Sequence, residues 1–148
     1  MIRIHGTAIS LDGEGVLLRG PSSSGKSDLA LRLIDGGGRL VADDQTELRA
    51  VGGTLRMSAP ATIAGRIEVR GLGIMTVPAI GSAPLRLVVD LVPAAMVERL
   101  PEPAWCRLLD RDFPLIALAP FEASAPAKLR LALRALAAGA TIDDASGQ

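Results

Sequence analysis

Short apolar runs alternate with clusters of glycine and polar residues through most of the chain, a pattern typical of strands joined by tight turns. Two such runs, 46–51 and 54–57, flank Gly52-Gly53 and predict a hairpin. The other predicted strands are 2–5, 7–11, 16–19, 39–42, 85–92 and 113–118.

Two segments follow the 3.6-residue period of a helix instead. The first runs from about Lys26 to Asp35, with apolar residues on one face and charged residues on the other, and three glycines end it. The second starts at Ser124 as its cap, has Pro126 in its first turn and ends at Gly139. Many strands and few helices predict an α/β fold, with helices packed on a mixed β-sheet.

Length and composition narrow the class of protein. A chain of 148 residues predicts one domain, placed at 1–140, with a frayed tail at 141–148. Hydrophobic residues make up 49% and the net charge is zero, which argues against disorder and against a nucleic-acid binder held by phosphate contacts. The longest uncharged stretch, 71–85, is too short and too rich in glycine and proline to span a membrane, so we expect a cytoplasmic protein.

The segment between the strand at 16–19 and the first helix carries a phosphate-binding motif, G-x-x-x-x-G-K-[ST]. Its glycines let successive backbone N–H groups converge on phosphate oxygens at a helix N-terminus. The lysine would bridge the β- and γ-phosphates, and the last hydroxyl would ligate Mg²⁺. A serine-rich surface turn is the plainer alternative, but the flanking strand and helix favour a nucleotide site. The residues of the motif are Gly20, Pro21, Ser22, Ser23, Ser24, Gly25, Lys26 and Ser27.

Two adjacent carboxylates, Asp43 and Asp44, follow the strand at 39–42. A strand that ends in Asp is the usual place for an acid that organises Mg²⁺. The neighbouring acid could serve as a general base. Successive strand side chains point to opposite faces, so both can face the site only where the strand ends or bends. The alternative is one functional acid and one turn residue.

Four segments together resemble the catalytic domain of HPr kinase/phosphorylase, a bacterial family that phosphorylates a serine of the phosphocarrier protein HPr. The resemblance covers about residues 1 to 77 and implies a short form that consists of the catalytic domain alone. It also implies a P-loop kinase fold like that of phosphoenolpyruvate carboxykinase. The segments are His5-Gly6-Thr7, the phosphate motif 20–27, Leu40-Val41-Ala42-Asp43-Asp44 and the signature Ile67-Glu68-Val69-Arg70-Gly71-Leu72-Gly73-Ile74.

The resemblance implies roles for individual residues. Asp44 is marginally favoured as the base that deprotonates the target serine, with Asp43 organising metal or water; the reverse assignment stays open. Glu68 would be a second metal ligand beside Ser27, and Arg70 would shape the loop near the transferring phosphate. His5 would contact the phosphate or the incoming serine. From the residues alone, a lone histidine in an apolar strand such as His5 is more often structural, and Glu68 and Arg70 could form a surface ion pair.

The leading hypothesis is therefore a Mg²⁺–ATP-dependent protein serine kinase that acts on an HPr-like carrier. Family members form hexamers, so a homo-oligomer is one expectation. The family's loop associated with reverse phosphorolysis has no counterpart, because residues 118–124 replace it, and this favours the kinase direction. The family's later active-site arginine has two candidates, Arg107 and Arg111.

Two other functions stay open. A small-molecule kinase or a GTPase would also carry the phosphate motif. Residues 35–38 formally fit the GTPase D-x-x-G, but they lie at a helix end, and the chain has no N-K-x-D. A regulatory nucleotide-binding module without catalysis is the third hypothesis. The presence of Asp43, Asp44 and Glu68 argues against it, because binding alone does not need three carboxylates.

Overall fold

The computed structural model describes residues 1–139, in which eleven strands and two α-helices form a mixed α/β fold. The predicted tail, 141–148, lies outside the described residues. The helices are α1 (Lys26–Asp35) and α2 (Ala125–Ala137), and two 3₁₀ turns occupy Ala61–Ile63 and Ala94–Met96. The strands are β1 (Ile2–His5), β2 (Thr7–Leu11), β3 (Glu14–Arg19), β4 (Arg39–Ala42), β5 (Gln45–Val51), β6 (Thr54–Ser58), β7 (Arg66–Val69), β8 (Gly73–Thr76), β9 (Ser82–Leu91), β10 (Ala104–Leu108) and β11 (Arg111–Leu118).

The long strand β9 joins the two parts of the main sheet. One part runs β1-β5-β6 and meets the start of β9 in antiparallel pairing. The other contains β3, β2 and β4 on one side of β9, and β11 and β10 on the other. Both β3 and β11 pair with β9 in parallel. A second, two-stranded sheet is formed by β7 and β8.

The sheet is buried on both faces, which explains the continuous apolar runs of its central strands. Leu87 and Val89 of β9 point into the core that both helices cover, whereas Val88 points into a second core on the opposite face. Neighbouring side chains of β3 divide in the same way, with Leu18 in the first core and Leu17 in the second. Each apolar residue of these strands therefore packs against one core or the other.

The carboxyl ends of four parallel strands meet at one edge of the sheet. These strands are β3, β9, β11 and also β4, because β4 and β3 are each antiparallel to β2. The phosphate motif follows β3, the aspartate pair follows β4, and the loop to α2 follows β11. This edge is where open α/β sheets bind ligands.

The predicted α/β class, the mixed sheet and the two helices are confirmed, while the relation to phosphoenolpyruvate carboxykinase stays a prediction. The sequence pattern predicts no strand at β7, β8 or β10, because these strands lie at the periphery and many of their side chains are exposed. Ser124 does precede α2, but its side chain makes no capping hydrogen bond. Among residues 1–139, no helix is long and apolar enough to cross a membrane.

Candidate active site

The phosphate motif forms the loop between β3 and α1. Gly25 stands at the N-cap of α1 with φ of 100°, a left-handed conformation that favours glycine, and no side chain caps the first N–H groups of the helix. A Cβ on Gly20 would lie 2.5 Å from Ser24 Oγ, so the loop closes tightly on itself. An uncapped helix N-terminus behind a glycine loop suits an anion.

Lys26 lies inside this loop and is only 5% exposed. Its ammonium donates to the carbonyl oxygens of Gly20 at 2.7 Å and Pro21 at 3.0 Å. Ser24 Oγ is buried and has no hydrogen-bond partner in the part of the chain that the structure describes. A buried hydroxyl without a partner is costly, and a phosphate oxygen would satisfy it. The loop therefore fits the phosphates of a nucleotide.

Asp43 connects three separate segments. One carboxylate oxygen accepts hydrogen bonds from Ser27 Oγ at 2.9 Å and from Thr7 Oγ1 at 3.2 Å. The other accepts the backbone N–H of Glu68 at 3.1 Å. The side chains of Ser27 and Asp43 are hard oxygen donors in direct contact, which is the donor set that Mg²⁺ prefers.

Asp44 faces the same site because the strand ends before it. Its φ of 64° is left-handed, and its backbone N–H donates to Thr7 Oγ1 at 3.0 Å. The Asp44 carboxylate lies 2.6 Å from His5 Nε2 and 4.0 Å from Lys26 Nζ. Its side chain is 59% exposed, and that of His5 is 50% exposed. A carboxylate held by a histidine and open to solvent is accessible to a second substrate.

The signature segment forms the hairpin β7–β8. Ile67 is buried in the core that both helices cover, so it anchors the hairpin on that face of the sheet. The side chains of Glu68 and Arg70 are exposed, and only the backbone of Glu68 contacts the aspartates. Among residues 1–139, no three His, Cys, Asp or Glu side chains form a ready metal cluster. A metal ion there would need phosphate oxygens beside Ser27 and Asp43.

A cavity of about 450 Å³ opens beside the aspartate pair. Arg3 and Glu47 border it from β1 and β5, where they form an ion pair of 2.8 Å. The remaining border comes from Asp43, Asp44, Gln45 and the turn 60–63. An acceptor side chain could approach Asp44 through this cavity.

The two candidate later arginines lie elsewhere. Arg107 pairs with Asp112 at 3.1 Å, and Arg111 donates to the carbonyl of Gly53. Both stand near the turn that joins β10 to β11, at the amino end of β11, whereas the phosphate loop lies at the carboxyl ends of the strands. Neither is therefore brought to the site.

Sequence reasoning missed two contributors to this edge. Thr7 belongs to a segment that resembles the family, but no role is predicted for it, although its buried hydroxyl contacts both aspartates. Arg32 is one of the charged residues on the polar face of the first helix, but its guanidinium donates to the carbonyls of Pro120 and Glu122. A buried polar residue within an apolar strand was the available signal for Thr7; no local signal marks Arg32.

Comparison with known proteins identifies the family. The family model described as the HPr Serine kinase C-terminal domain matches residues 1–92, more than half of the chain. The chain belongs to this family. The match extends beyond residue 77, where the resemblance in the sequence ends.

Proteins similar to this chain are named HPr kinase/phosphorylase or Hpr(Ser) kinase/phosphatase. The chain is 39% identical to an HPr kinase/phosphorylase of Clostridium tetani over 74% of its length, and 46% identical to one of Caldanaerobacter subterraneus over 62%. These matches cover 35% and 31% of the relatives, so the chain spans about a third of their length. A solved structure of the Hpr(Ser) kinase/phosphatase from Coxiella burnetii superposes with a TM-score of 0.82 at 26% identity, covering 94% of this chain and 92% of that one.

Proposed function

We propose that this chain is a Mg²⁺–ATP-dependent protein serine kinase whose acceptor is an HPr-like phosphocarrier protein. The main support for the proposal is a pair of contacts, one from Asp43 to Ser27 and one from Asp44 to His5. Asp43 binds Ser27 of the phosphate loop, while Asp44 binds His5 and faces the cavity. One acid is thereby joined to the phosphate site and the other is open to an acceptor.

Ser27 and Asp43 would hold the metal, and the N–H groups of the loop with Lys26 would hold the phosphates. When bound, ATP would supply the phosphoryl group, and Mg²⁺ would neutralise part of the charge on the phosphates. The chain's own contribution is position: Asp43 also binds Thr7 and the backbone of Glu68, so three segments fix it. Glu68 remains the proposed second ligand, with its exposed side chain next to that backbone contact.

Asp44 would take the proton of the attacking serine hydroxyl. Its carboxylate is exposed and lies at the border of the cavity, whereas Asp43 is occupied by three donors. This difference supports Asp44 as the base over Asp43. His5, at 2.6 Å, would hold the carboxylate in its orientation. Arg70, exposed directly after β7, is proposed to shape the loop near the transferring phosphate.

The kinase direction is proposed because the family's phosphorolysis loop has no counterpart in this chain. Residues 118–124 occupy its place with a different sequence. A hexameric assembly and a cytoplasmic location stay predictions, which rest on the chain's membership of the family.

The test is transfer of labelled phosphate from ATP to a serine of HPr, measured with Asp44→Asn beside the parent chain. We expect the variant to lose about 100-fold or more in transfer rate, because a general base contributes that much, and to bind ATP as before. Asp35→Asn, at the exposed end of α1, is the matched control and should transfer normally.

Two outcomes would contradict the proposal. Unchanged transfer by Asp44→Asn would remove Asp44 from the role of base. ATP binding by the parent chain with no phosphoserine formed on HPr would favour a nucleotide-binding module instead.

A further inference from the structure

An exposed aromatic ring stands beside the phosphate loop. The chain has two Phe, one Trp and no Tyr, and one of these three aromatic side chains, Phe121, is 71% exposed. A Cβ on Gly25 would lie 2.9 Å from Phe121 Cζ and 2.9 Å from Pro120 Cγ. The edge of the ring therefore touches the backbone at the N-terminus of α1, and the rest of the ring faces solvent.

The loop that carries Phe121 is held in place rather than free to fold the ring inward. Arg32 of α1 donates to the carbonyls of Pro120 and Glu122. The Glu122 carboxylate accepts from Lys128 Nζ of α2 at 3.0 Å, and its N–H donates to the carbonyl of Ala119. The ring is therefore an exposed apolar face that contacts from both helices hold in place beside the phosphate loop.

The position of the ring relative to the aspartates points to one ligand. The phosphate loop follows β3, the aspartate pair follows β4 on one side of it, and Phe121 follows β11 on the other side. In a phosphate loop the γ-phosphate is the end near the metal and the acids. The nucleoside end of a nucleotide bound in this way would extend away from Asp43 and Asp44, toward the side where Phe121 lies.

We propose that the ring of Phe121 is the platform on which the nucleobase stacks. This inference rests on the proposed function, because it needs a nucleotide in the phosphate loop. Stacking uses the π-face that every base has, so it gives affinity without reading the edge of the base. The ring should therefore support ATP and GTP alike, and it should have no effect on a ligand that lacks a base.

The experiment compares two ligands on the full chain by calorimetry. ATP contains the base, and inorganic tripolyphosphate occupies the phosphate loop without it. Phe121→Ala should weaken the binding of ATP and of GTP by about 10-fold or more and leave the binding of tripolyphosphate unchanged. Phe121→Trp should restore the affinity for ATP, because a larger ring stacks as well. Leu131→Ala, at a similarly exposed apolar position of α2, is the matched control and should change neither affinity.

Other outcomes would overturn the inference. Equal losses for ATP and tripolyphosphate would mean that the ring supports the loop, and unchanged ATP affinity would mean that no base stacks there. If Phe121→Ala weakened the binding of HPr but left the affinity for ATP unchanged, the ring would contact the acceptor protein and not the base. The two proposals can fail separately. If Phe121→Ala weakened ATP binding as expected but the parent chain transferred no phosphate to HPr, the kinase proposal would be wrong and the stacking proposal would be supported.

Discussion

At the scale of single residues, the site depends on a small buried hydroxyl. Thr7 is fully buried, and its Oγ1 donates to the Asp43 carboxylate while it accepts the N–H of Asp44. Both aspartates are thereby fixed by one side chain that lies 36 residues before Asp43 and 37 before Asp44. Thr7 acts through the aspartates, so it is a positioning residue.

Replacing Thr7 by Val tests this role, because Val keeps the shape and removes the hydroxyl. We expect transfer to HPr to fall by about 10- to 100-fold, since small misplacements of reacting groups have effects of that size. The affinity for ATP, measured by calorimetry, should change little. Thr7→Ser keeps the hydroxyl and should restore transfer; failure of Ser to do so would assign Thr7 to packing alone.

At the scale of elements, the junction of β3 with α1 meets the loop after β11. Gly25 needs its left-handed φ to begin the helix, and it lacks the Cβ that would strike Pro120 and Phe121. Arg32, two turns into α1, binds the same loop. The phosphate loop and the loop to α2 are therefore one unit, although about 90 residues separate them.

Gly25→Ala should disturb both loops. The left-handed conformation costs a non-glycine residue about 1–2 kcal/mol, and the added Cβ must displace Pro120 or Phe121. We expect a lower melting temperature and a loss of ATP affinity of about 10-fold or more. Gly37→Ala is the matched control, because Gly37 has φ of 105° with nothing within 4 Å. It should lower the melting temperature alone, and an equal loss of ATP affinity there would refute the steric argument.

At the scale of the whole molecule, β9 is the strand that joins the two parts of the main sheet. It pairs with three strands, and its side chains contribute to both cores. The edge that holds the site is the carboxyl end of this same parallel group. Folding of the site and folding of the core are therefore coupled.

Leu87→Ala should destabilise the entire chain. Leu87 is fully buried in β9, and truncation of a buried leucine costs about 2–5 kcal/mol. Urea unfolding followed by fluorescence of Trp105 and by circular dichroism should show one shifted transition in both signals. The exposed Leu131→Ala should stay within about 0.5 kcal/mol of the parent chain. Two separate transitions would contradict the single domain predicted for residues 1–140.

The sequence by itself determined the features that depend on neighbours along the chain. The phosphate loop, α1 and most central strands were predictable, because glycine conformation, helical periodicity and buried apolar runs are local signals. The position of the aspartate pair was predictable for the same reason, because the pair follows the strand β4 directly. The hairpin β7–β8 was found only as a family signature, since its exposed side chains carry no clear period.

The tertiary structure alone decided which distant groups meet at this edge. The bonds from Asp43 to Thr7 and to the backbone of Glu68, and the contact of Phe121 with Gly25, join segments 25 to 96 residues apart in the chain. It also decided how Asp44 turns toward His5, because that direction depends on a left-handed residue after β4. Hydrogen bonds and contacts of this kind depend on how the strands are ordered in the sheet, and strand order leaves no local trace in the sequence.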